Sequence, residues 1–82
     1  MKASGKILVH VGIDPVLQRK LEDGGEMAVS ACAKNFGLSA VNAERLRLFG
    51  IITGQLHKDA IDTLRKQDGV SFVETDKVQK AL

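Results

Sequence analysis

The run KILVHVGID alternates Ile7, Val9 and Val11 with Leu8 and His10. That two-residue period predicts a strand over about residues 5–12, buried on at least one face and stopped by Asp14-Pro15. In PVLQRKLEDGGEM, Asp14 suits a helix cap and Pro15 a first turn, but Gly24 and Gly25 would each cost about 1 kcal/mol inside a helix. The expectation for 13–25 is therefore a short helical turn and a loop. In EMAVSACAKNFG, Met27, Ala28, Ala31, Cys32 and Phe36 share one helical face and Gly37 follows as a left-handed cap, predicting a helix over about 26–36.

Between Val41 and Leu56 the pattern reads as two strands, VNAERL and IITGQL, joined by a hairpin turn at RLFG. HKDAIDTLRKQDG sets Ala60, Ile61 and Leu64 on one helical face, with Asp59 and Asp62 early, Lys66 late and Gly69 at the end. VSFVETD then reads as a last strand. The order is strand, helix, strand, strand, helix, strand. Each apolar helical stripe needs a partner, and right-handed crossovers leave both helices on the same side of the sheet. The expected fold is α+β: a ferredoxin-like βαββαβ sandwich, a four-stranded antiparallel sheet with two helices on one face.

A chain of 82 residues makes one domain, 1–82, with limited capacity to bury surface. Its apolar fraction is 44%, but the only aromatics are Phe36, Phe49 and Phe72, so the core is expected to be thin and aliphatic. A formal charge of +2, with acids and bases interspersed, gives no nucleic-acid or membrane-surface footprint. One cysteine excludes an internal disulfide, and no segment has the length of a membrane span or the layout of a secretory signal. The sequence as it stands reads as soluble and cytoplasmic, although a segment cut from a longer precursor would look the same.

Candidate chemistry is sparse, and no cofactor is expected. Cys32 stands alone on an apolar helical face, which suits packing rather than metal binding. KILVHV and IITGQL carry none of the aromatic residues that stack on RNA bases. His10 and His57 have no thiol or second histidine close in sequence, no serine lies in a nucleophile motif, and GIITG lacks the Lys and Ser or Thr of a phosphate loop. Arg45 and Asn42 could be nominated for a phosphate site of acylphosphatase type, but no cradling loop precedes them. The chain is expected not to be an enzyme.

Glu74 and Asp76 differ from these. Side chains alternate along a strand, so the two acids point to one face, about 6.5 to 7 Å apart. One reading is a solvated strand end. The other is a two-pronged acceptor for the free backbone N–H groups at the N-termini of two helices in a partner.

The run GQLHKDAIDTLRKQDGVSFVETDKVQKAL resembles the C-terminal half of the propeptides of subtilisin-like serine proteases and the free-standing inhibitors related to them. The likeness lies in the polar helix with Ala60, Ile61 and Leu64, the Asp-Gly turn, the pattern V-x-F-V-E-x-D and a short tail. The ERLRLFGIITG hairpin extends it to about half the chain, while the first half matches only in its order of elements. The loop expected at 13–25 is longer than the family usually has.

The resemblance implies an inhibitor, and in part a folding chaperone, whose exposed sheet face packs on two parallel helices of the protease. Glu74 and Asp76 match the acids that cap those helices. The tail, about 77–82, would lie extended in the substrate cleft. Leu82 would fill the primary specificity pocket, Ala81 would sit beside the catalytic centre, Lys80 would point outward, and Gln79 would enter the pocket three residues before Leu82, with Val78 ahead of it in the contact. On this reading the chain stops at Leu82 because the protease would cut there. Burying the Gln79 amide in a pocket that usually takes an apolar or small residue would cost roughly 1 to 3 kcal/mol. The alternative is a small ferredoxin-like regulatory or protein-interaction domain working through another face. Free strand edges also offer a route to a homodimer.

Overall fold

The computed structural model describes residues 5–76. The chain runs through strand β1 (Lys6–Ile13), helix α1 (Pro15–Asn35), strand β2 (Ser39–Asn42), a helical turn α2 (Leu46–Phe49) and strand β3 (Ile51–His57). A 3-10 turn (Lys58–Ala60), helix α3 (Ile61–Arg65) and strand β4 (Val70–Thr75) complete it. The strands form one four-stranded antiparallel sheet in the order β2-β3-β1-β4, so the fold is α+β with β1 and β3 at its centre.

Alternation along β1 divides the sheet into two faces. Val9, Val11 and Ile13 turn to the core, where Val11 lies between Ile52 of β3 and Val73 of β4 in the cross-strand register. Leu21, Ala33 and Phe36 from α1 and its end, Leu46 from α2 and Leu64 from α3 pack into the same cluster. Each fully buried aliphatic side chain is worth about 1.5–3 kcal/mol relative to exposure. That packing, with Leu64 only 1% exposed, is what holds the five residues of α3, far too few to be helical alone. Phe36 is the only aromatic among these buried residues, so the core is aliphatic as its composition implies.

Residues 13–25 depart from the expected turn and loop. Asp14 Oδ1 accepts a hydrogen bond from the Leu17 N–H at 2.9 Å, Pro15 occupies the first turn, and the helix starting there continues to Asn35. The glycine pair does not stop it. Gly25, at φ 75° and ψ −163°, makes a sharp kink at which two helical segments abut, and only glycine reaches such angles cheaply. Beyond the kink, Ala33 and Phe36 are buried and Val29 is half-buried, while Met27 is 84% exposed and Ala31 is exposed. Of the expected stripe, Ala28, Cys32 and Phe36 face the core together with Val29 and Ala33, and Met27 and Ala31 do not.

The expected VNAERL–IITGQL hairpin also differs. β2 ends at Asn42, whose Oδ1 accepts from the Glu44 N–H at 2.9 Å and turns the chain out of the strand. Leu46 then drops into the core within the added helical turn α2, which Gly50 ends at φ 67°. The helix count thus exceeds the two expected.

Candidate functional site

The even-numbered positions of β1 lie on the face opposite the buried cluster. Lys6 and Leu8 are exposed there, His10 is half-buried, and Gly12 is covered by a side chain of β4. The register brings Gly12 opposite Phe72 and His10 opposite Glu74, and the Asp76 N–H donates to the Leu8 carbonyl at 2.9 Å. β4 and the residue after it therefore present Phe72, Glu74 and Asp76 in a row on the uncovered face. The sequence-predicted pair does share one face, and both acids are exposed.

Their settings differ. Asp76 Oδ1 lies 3.2 Å from His10 Nε2, and the other ring nitrogen, Nδ1, lies 2.9 Å from Thr53 Oγ1 on β3. A carboxylate only accepts, so His10 Nε2–H donates to Asp76, and in the neutral ring Nδ1 accepts from the Thr53 hydroxyl. The relay crosses β3, β1 and the end of β4 and holds the Asp76 carboxylate in place. The Glu74 side chain makes no hydrogen bond or ion pair among the described residues. Among the described residues, one prong is braced and the other has no side-chain partner.

Apolar surface flanks the acids. Phe72 is 41% exposed and Leu8 38%. The Phe72 ring lies across Gly12, where an added Cβ would come within 2.2 Å of it, so the absence of a side chain at position 12 creates the seat for the ring. Composition and spacing point to Glu74 and Asp76 but not to His10, Thr53, Phe72 and Gly12. Alternation does place His10 among the even positions of its strand; which residues face it depends on strand register, which a single sequence does not specify.

Beside His10, a hollow of about 170 Å³ is lined by Asn42, Glu44, Arg45 and Thr53. The structure thus brings together Arg45 and Asn42, the pair nominated for a phosphate, but the acidic Glu44 is part of the same lining and disfavours an anion. His57 instead caps a turn, its Nδ1 accepting from the Asp59 N–H at 3.2 Å. Cys32 is half-buried against the core, and burial pushes its thiol pKa up, which suits packing rather than nucleophilic use. Among the described residues no cluster of His, Cys, Asp and Glu could hold a metal ion, and no helix is long and apolar enough to cross a membrane. Val78, Gln79, Lys80, Ala81 and Leu82 lie outside the described residues.

Comparison of the chain with known protein families, with characterised proteins and with solved structures finds no match.

Proposed function

We propose that this chain is a ferredoxin-like sandwich that docks its uncovered sheet face on a subtilisin-like serine protease and inhibits it, assisting the folding of that protease where the two are made together. The strand order β2-β3-β1-β4, with helical crossovers before β2 and β4, is compatible with that fold. The extra turn α2 is an insertion between β2 and β3.

One observation carries the functional reading: on the face that no described helix covers, Phe72, Glu74 and Asp76 stand in a row, with Asp76 braced by His10 and the Glu74 side chain unpaired among the described residues. A preorganised carboxylate costs less to order on binding than a free one, and an unpaired neighbour can accept helix N-terminal N–H groups with charge assistance. Phe72 and Leu8 supply apolar area around the polar contacts, the arrangement of a small interface centre. The residues from Val78 to Leu82 are the segment assigned to the cleft, pairing by backbone as a product-like strand.

A second reading rests on the opposite side of the molecule, where a groove of about 810 Å³ lies between the kink of α1 and α2, with Leu21, Val29 and Leu46 inside and Glu22, Glu26 and Arg47 around it. There the domain would act as a regulatory or interaction module. The two separate by titrating labelled protein with active-site-blocked subtilisin-like proteases and following backbone amide resonances. The inhibitor reading predicts shifts on Leu8, His10, Phe72 and Glu74; shifts confined to Leu21, Glu26 and Leu46 support the groove, and the absence of any shift across a panel of such proteases contradicts docking.

A further inference from the structure

The two edges of the sheet are closed in different ways. β2 is only four residues long, carries an extra residue between its two register pairs with β3, and has Ala40 at φ 50°, so it offers little regular backbone. β4 is a six-residue edge strand with no lysine or proline, and its extra residue, Ser71, lies near the start, between the Val70 and Phe72 pairings with β1. Because Asp76 points its N–H to β1, Glu74 and Phe72 do likewise, and Val73 and Thr75 turn their backbone groups outward. One of those outward groups is already taken: Arg65 of α3 donates from Nη2 to the Val73 carbonyl at 3.0 Å, while its Nη1 lies 3.4 Å from Asp62 Oδ1.

We propose that Arg65 guards the β4 edge, and that without it β4 pairs antiparallel with β4 of a second copy. The sequence of the edge is self-complementary about Val73. In that register Val73 meets Val73 of the copy in a hydrogen-bonded pair, Thr75 meets Ser71, and on the uncovered face Phe72 meets Glu74, so no like charges stand opposite one another. Shifting the centre to Glu74 would instead set two carboxylates face to face, which cross-strand pairing disfavours. The guanidinium occupies the carbonyl at the centre of the permitted register, so the guard acts where the pairing would begin. The homodimer route suggested by free strand edges is thereby closed at one edge by irregular backbone and at the other by a side chain.

Sedimentation of the full chain tests this. Wild type is expected to remain monomeric across the accessible concentration range, and Arg65→Ala to self-associate at least about tenfold more tightly. Adding Thr75→Pro to Arg65→Ala removes an outward N–H at a position where an edge strand tolerates proline, and is expected to restore the monomer. Arg65→Ala that stays as monomeric as wild type overturns the proposal, as does a dimer that survives Thr75→Pro. Amide exchange on the unaltered chain gives a check independent of any variant's folding. The Val73 and Thr75 N–H groups are expected to exchange fast and without dependence on concentration, and protection that grows with concentration while Arg65 is intact overturns the proposal.

Discussion

His10, at the middle of β1, holds Asp76, just past the end of β4, through an Nε2 to Oδ1 contact of 3.2 Å. The side chains are 23% and 39% exposed, so solvent reaches the contact and its worth is that of a single side-chain hydrogen bond. It also fixes the orientation of one of the two acids assigned to partner binding. Replacing His10 by Ala is expected to lower stability by about 0.5–1.5 kcal/mol in urea denaturation. Asp76→Asn, which keeps an oxygen acceptor for Nε2–H, is expected to cost less than that. A larger loss for Asp76→Asn than for His10→Ala would mean that the relay does not hold the carboxylate.

The ring of Phe72 needs the bare backbone of Gly12, where an added Cβ would fall within 2.2 Å of it. Gly12→Ala is expected to cost about 1–3 kcal/mol, since the ring must leave its seat. Phe72→Ala should absorb most of that cost in the double variant, because the two positions act on the same contact. Strictly additive losses would show that the glycine serves something else.

At Gly25 the expected penalty has a different origin. Nothing lies within 4 Å of a Cβ built there, so space is no obstacle, but φ 75° with ψ −163° is closed to side-chain-bearing residues. Gly25→Ala is expected to destabilise by about 1–3 kcal/mol. A gain in stability would indicate an unbroken helix through the glycine pair.

Burial raises the pKa of the Cys32 thiol, so the folded protein favours the protonated form. A group whose folded pKa lies above its unfolded value contributes stability that is fully present below the unfolded pKa and is lost as pH rises through the folded one. Stability is therefore expected to fall on the alkaline side, above the ordinary thiol value of 9.0. Alkylation of the native protein at neutral pH should be slower than in urea, and equal rates would contradict the packed position.

Much of this architecture was legible in the sequence because local rules agreed with it. Alternation marks β1, VSFVETD reads as the last strand, and the Ala60, Ile61, Leu64 stripe with a following glycine marks α3. The misreadings share one cause: residues whose local cost is repaid by tertiary packing. Gly24-Gly25 looked like a helix stop, yet Leu21 on one side and Ala33 and Phe36 on the other each gain a place in the core if the helix kinks instead. The VNAERL pattern places Leu46 in a strand, but the Asn42 turn sends it into the core as part of α2. At the site, alternation alone placed Glu74 and Asp76 on one face. The brace from His10 and the seat for Phe72 depend on which strands neighbour which and in what register, and a single sequence leaves that unspecified.

The measurement that bears most directly on the account is the inhibition constant of the full chain against a subtilisin-like protease, compared with Glu74→Ala. Glu74 is exposed and unpaired among the described residues, so its removal should leave the free domain intact. If it caps a partner helix, the loss is expected to be about 0.5–2 kcal/mol, a rise in the inhibition constant of roughly 2- to 30-fold. Inhibition by wild type that weakens within that range in Glu74→Ala is the predicted result. An inhibition constant unchanged by Glu74→Ala, or no inhibition of any protease of this class, would contradict docking through the uncovered sheet face.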